Sequence, residues 1–95
     1  MRVLLSQELI DKGIKTGSFT IADIELEGKN NLLTLYIIFD KAFNAEVIAK
    51  AFDKNNLEIG RSKINIEGSV GEAKYFDFEF DKRTYIGVRN KIMIE

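Results

Sequence analysis

A chain of 95 residues, 45% hydrophobic and 31% charged, supports one domain with one modest core and excludes a second. Its 14 basic and 15 acidic residues leave a net charge of −1, so no basic excess marks nucleic acid or an anionic membrane as a partner. The lack of histidine and cysteine excludes Ser-His-Asp and Cys-His catalysis and the ordinary zinc, haem and iron–sulfur sites.

No apolar run approaches the roughly 20 residues of a membrane helix. The start, Met1–Leu5, is too short for the apolar region of a signal peptide. A cytosolic protein fits this start, and so does an excised domain with Met1 added. Val3 and Leu5 suggest a short edge strand, and Glu8–Lys12 reads equally as a helical turn. Gly13 to Ser18 reads as a loop, since glycine, serine and threonine punctuate the chain there.

From Phe19 an apolar alternation begins on odd positions with Ile21 and continues on even ones with Ile24 and Leu26. A slip of phase around Ala22-Asp23 predicts a β-bulge or a strand that changes sheets. Glu27 to Asn31 then makes a turn. Leu32–Phe39 is the most apolar run, eight residues rich in β-branched and aromatic types, and predicts a central strand with Leu33, Leu35, Ile37 and Phe39 inward.

Residues 41–53 accept two readings. Phe43, Val47 and Ala51 keep helical spacing with Asp40 as N-cap, which would make the fold α+β. A strand from about Glu46 to Phe52 is favoured, because Asp53–Asn56 is hairpin-turn chemistry between two short apolar runs. Gly60 marks a bend or bulge that divides Leu57–Ile59 from the strand around Ile64 and Ile66. Gly68–Gly71 forms a loop.

In Glu72–Asp81, Phe76, Phe78 and Phe80 alternate with Asp77, Glu79 and Asp81. Successive side chains of a strand point to opposite faces, so this segment sends three rings into a core and three carboxylates to water. A helix does not place residues two apart on one face. Asp81–Thr84 turns the chain, and Ile86, Val88, Ile92 and Ile94 predict a terminal strand. About seven short strands at roughly ten-residue spacing predict an all-β fold, a two-sheet antiparallel sandwich occupying 1–95 as a single domain. Its expected core is Leu33, Leu35, Ile37, Phe39, Ile64, Ile66, Phe76, Phe78, Phe80, Ile92 and Ile94.

The glycines match neither a dinucleotide nor a Walker phosphate loop. Asp77, Glu79 and Asp81 stand about 7 Å apart along one strand face, and their ordinary role is a solvated face paired with lysines or arginines. Asp53–Glu58 begins like a calcium loop, but Leu57 stands where such a loop needs an oxygen ligand, so a plain Asp/Asn turn is expected. No catalytic residue, metal or cofactor is predicted, and the chain reads as a non-enzyme. Tyr36, Tyr75 and Tyr85 fall opposite the predicted core and are the candidate interaction surface, for a protein interface or for stacking on sugar rings.

Ala49–Arg61, an apolar strand ending in Phe52-Asp53, a turn, and a strand beginning Leu57-Glu58-Ile59-Gly60, resembles bacterial immunoglobulin-like and fibronectin-type-III-like modules, FxLYD-like among them. The resemblance spans about Leu32 to Phe80. It implies an immunoglobulin-like sandwich serving as an accessory domain of a surface or secreted assembly, binding a protein partner or itself. The alternative function is a carbohydrate-binding domain that uses the exposed tyrosines.

Overall fold

The computed structural model describes residues 1–23 and 30–95. Leu32–Phe39 forms a strand whose odd-numbered side chains, Leu33, Leu35, Ile37 and Phe39, are all fully buried. It is the middle of a three-stranded antiparallel sheet. On one side runs Ile14–Ala22, and on the other Ala73–Glu79, in a register that sets Leu33 opposite Phe78 and Leu35 opposite Phe76. The second sheet has four strands, Arg2–Leu5, Lys91–Ile94, Phe43–Phe52 and Glu58–Gly68 in spatial order. In chain order the strands are β1 (Arg2–Leu5), β2 (Ile14–Ala22), β3 (Leu32–Phe39), β4 (Phe43–Phe52), β5 (Glu58–Gly68), β6 (Ala73–Glu79) and β7 (Lys91–Ile94). Among the described residues the fold is therefore an all-β sandwich of seven strands. Its pairs are antiparallel apart from β1 and β7, which run parallel.

Residues 43–52 are a strand, so the helical alternative near 41–53 is overturned. β4 pairs along its length with β5, and Val47, Ala49 and Ala51 point inward. The helical spacing of Phe43, Val47 and Ala51 loses because a helix would leave the inner edge of β5 without backbone partners. The small side chains of Ala49 and Ala51 share one core with the bulk of Phe39 and Phe78. β5 is one strand rather than two. Gly60 pairs with Ala51 and Glu58 with Phe52, which leaves Ile59 as a bulge. The glycine has a packing reason, since a Cβ there would lie 2.7 Å from the Thr84 hydroxyl.

At the N-terminus both alternatives occur in succession. β1 is followed by a helical turn, α1 (Gln7–Asp11), capped by the Ser6 side chain accepting from the Leu9 N–H. The expected loop at Gly13–Ser18 is corrected, because β2 begins at Ile14. Gly13 makes the turn at φ +93°, and the register shifts between Thr16 and Phe19, upstream of the slip expected at Ala22-Asp23. Gly17 sits in this bulge with the Tyr36 ring against it, so close that a Cβ would meet the ring at 2.9 Å. Turn-type residues here serve close approach on a sheet, not chain reversal. The expected strand residues Ile24 and Leu26, and the turn at Glu27–Lys29, lie outside the described residues.

The terminal strand is shorter than expected. Ile86 is buried and Val88 is 83% exposed, yet neither belongs to a strand. The Asn90 side chain accepts from the Gly87 N–H, and the Asn90 N–H donates to the Gly87 carbonyl, closing a turn that competes with strand pairing. Of the expected core, Phe76 and Ile64 are half-buried and the rest are buried. Leu9, Ile14, Phe43, Val47, Ala49, Ala51 and Ile86 complete it.

Candidate functional site

The outward face of the three-stranded sheet carries the even-numbered residues of β3 and the odd-numbered residues of β6. Tyr36 and Tyr75 stand opposite each other in the ladder, and their ring centroids are 4.8 Å apart with planes inclined at 54°. Tyr75 is 60% exposed, while Tyr36 is half-buried between it and the Gly17 bulge. One pair further along, the Thr34 hydroxyl donates to Asp77 Oδ1 at 2.7 Å. Leu32 and Ile38, both half-buried, extend the apolar part of this face along β3. The result is an aromatic ridge with a carboxylate–hydroxyl pair at its side.

Tyr85 does not join them. It lies between β6 and β7 and is 55% exposed. It lines an open cavity of about 510 Å³ with Ile59, Val88, Arg89 and the hairpin residues Asp53–Asn55. The hairpin is rigidly built. Asp53 Oδ1 accepts from the N–H groups of Asn55 and Leu57, and Asn56 takes φ +66°. Asp53 is thus occupied in shaping the turn. The loop opposite is tied to β1 where the Met1 amine donates to the Val88 carbonyl and the Arg2 N–H to that of Asn90. A smaller cavity of about 190 Å³ adjoins, lined by Arg2, Lys54, Asn56, Arg89, Asn90 and Lys91 together with Asp53.

Nothing in the sequence pattern marks this cationic end. Its members come from positions 2, 54, 89 and 91, so no local motif gathers them. Tyr85, which the sequence does single out, lines the adjoining larger cavity.

Among the described residues, the acids Asp77, Glu79 and Asp81 make no ion pair across the strands with a lysine or arginine. Asp77 takes the Thr34 hydroxyl, and Asp81 pairs with Arg83 two residues on. Among the described residues no three acidic side chains converge as a metal site. The Arg83 guanidinium donates to Asp81 at 2.9 Å and its N–H at 2.8 Å, which lowers the carboxyl from 3.8 to about 2. The folded-state value lies below the unfolded one. The pair's contribution to stability is therefore full above the unfolded value and is lost as pH falls toward 2. Both groups are exposed, so that contribution is small. An NMR titration of the Asp81 carboxyl should give a midpoint near 2 that moves up toward the ordinary range in Arg83→Gln. An identical midpoint in the variant would show that the guanidinium does not hold it.

Comparison with protein-family models, with curated proteins and with solved structures finds no match in any of the three. Among the described residues, no helix is long and apolar enough to cross a membrane.

Proposed function

We propose that this protein is a non-enzymatic binding or spacer module, an accessory domain that makes protein–protein contact through the Tyr36–Tyr75 ridge. The observation that carries the reading is Tyr75, 60% exposed on a sheet face and held in place by Tyr36. A tyrosine fixed by its neighbour offers a large contact area with little conformational entropy left to lose, and such residues anchor interfaces. The absence of histidine and cysteine supports a role without covalent chemistry.

The strand order supports the immunoglobulin-like type. β2, β3 and β6 lie as strands A, B and E do in that fold, and β4 and β7 as C and F. Strand D has no counterpart, and β1, running parallel, takes the place beside β7 that the last strand holds. Membership of a bacterial surface or secreted assembly draws its support from the sequence resemblance alone.

Photocrosslinking tests the reading, with p-benzoylphenylalanine in place of Tyr75 or, as a control on the other sheet, of Lys63. A discrete adduct with another protein or a second copy is expected from position 75, absent from position 63 and lost in Tyr36→Ala. Equal adducts from both positions, or none from 75, would end it. The carbohydrate alternative is supported by the Thr34–Asp77 pair beside the rings, although planes at 54° offer no flat platform to a sugar. A glycan-array signal lost in Tyr75→Ala would move the function there.

A further inference from the structure

The end of the sandwich between the β4–β5 hairpin and the 84–90 loop gathers four cations around one cavity. Most of the other described cations have acid partners, as in Lys50 with Glu95, Arg61 with Glu58, Lys63 with Glu46 and Arg83 with Asp81, the exceptions being Lys41 and Lys82. Arg2, Lys54, Arg89 and Lys91 have no ion pair among the described residues, and all four line one cavity. Its one acid, Asp53, accepts two N–H groups of the hairpin turn and keeps its charge. Four cations against one carboxylate leave the lining net positive, and an anionic partner offsets that excess.

The adjoining larger cavity shares Asp53, Lys54, Arg89 and Asn90 with the cationic one and adds an apolar wall of Ile59, Tyr85 and Val88. Val88 is 83% exposed although nothing in its own turn requires an apolar side chain. A small anion would use the cations and leave this wall bare. Nucleic acid would need a longer basic track than four residues at one end of a chain of net charge −1. An extended peptide fits both parts, because its side chains alternate in direction and reach the two walls from one backbone.

We propose that this end binds an acidic peptide segment of a protein partner, with carboxylates on Arg2, Lys54, Arg89 and Lys91 and an apolar side chain against Tyr85 and Val88. The site is separate from the Tyr36–Tyr75 ridge and stands or falls independently of it.

The test is fluorescence anisotropy with a fluorescein-labelled peptide carrying glutamates on both sides of a central phenylalanine. Saturable binding that weakens as salt rises is expected. Replacing the glutamates by glutamines should abolish it, and replacing the phenylalanine by glycine should weaken it. Arg89→Glu should lower affinity about tenfold or more. Lys41→Glu, the same charge change at the opposite end of β4, should leave affinity near wild type, as should Tyr75→Ala. Circular dichroism melts of each variant separate lost binding from lost folding, and Tyr85→Ala gives a second, uncharged probe of the same site. The proposal is overturned if the glutamine peptide binds equally well or if Arg89→Glu behaves like Lys41→Glu. Tighter binding of oligothymidylate than of the peptide would also overturn it, as would dimerisation that Arg89→Glu abolishes and the peptide does not compete.

Discussion

Phe78→Ala is expected to destabilise the fold by about 3–5 kcal/mol, the usual range for truncating a buried phenylalanine. Phe78 is fully buried, pairs with Leu33 across the ladder, and belongs to the core that both sheets share. Removing the ring costs its transfer free energy, and it leaves a cavity that two hydrogen-bonded sheets cannot close around. Domains of this size hold roughly 5–15 kcal/mol in total, so the loss takes a large share of it. The melting temperature should fall by roughly 15–30 °C. Phe76→Ala, at a half-buried position two residues away, should cost clearly less. Thermal melts of both variants check the pair, and a Phe78→Ala protein melting within a degree or two of wild type would show that this ring is not central.

Gly68→Ala is expected to be the most damaging single methyl added to the chain. Gly68 is the last residue of β5 and stands opposite Phe43, and a Cβ there would lie 2.3 Å from the Phe39 ring. The ring has no space to retreat. Phe39 is fully buried, with the rings of Phe43 and Phe76 at 6.5 and 6.1 Å. Overpacking of this kind costs about 1–3 kcal/mol, and more where the backbone must move. Phe39→Leu removes the clash at the cost of its own cavity. The double variant should therefore be more stable than the sum of the two single effects predicts. Urea denaturation of all four proteins measures the coupling. Additive effects would place the two residues out of contact.

Legibility in the sequence followed the kind of interaction that holds each residue. Phe78 was readable because alternation with acids is a local signal, and burial of one face of a strand enforces it. β4 was legible through its neighbour, since the Asp53–Asn56 turn requires strands on both sides. Gly17 and Gly68 read as loop residues but lie within β2 and β5, because their reason is a distant ring, Tyr36 on the neighbouring strand and Phe39 in the facing sheet. Val88 fitted the even-numbered pattern by accident. Hydrogen bonds between Gly87 and Asn90 decide its place, and these leave no periodic trace. Of the three tyrosines, pairing across β3 and β6 unites two, and a connection between strands carries the third away. The four cations at the hairpin end come from segments that only the completed fold makes neighbours.

The parallel pairing of β1 with β7 has a mechanical consequence. Arg2 lies beside Lys91 and Leu5 beside Ile94, so the chain enters this pair at one end and leaves it at the other. Tension applied at Met1 and Glu95 would slide the two strands past each other along their length and strain every rung of the ladder at once. An antiparallel pair pulled from adjacent ends would instead peel open one rung at a time. Set between other domains, such a module would resist stretching through its first and last strands while the core behind them stayed unstressed.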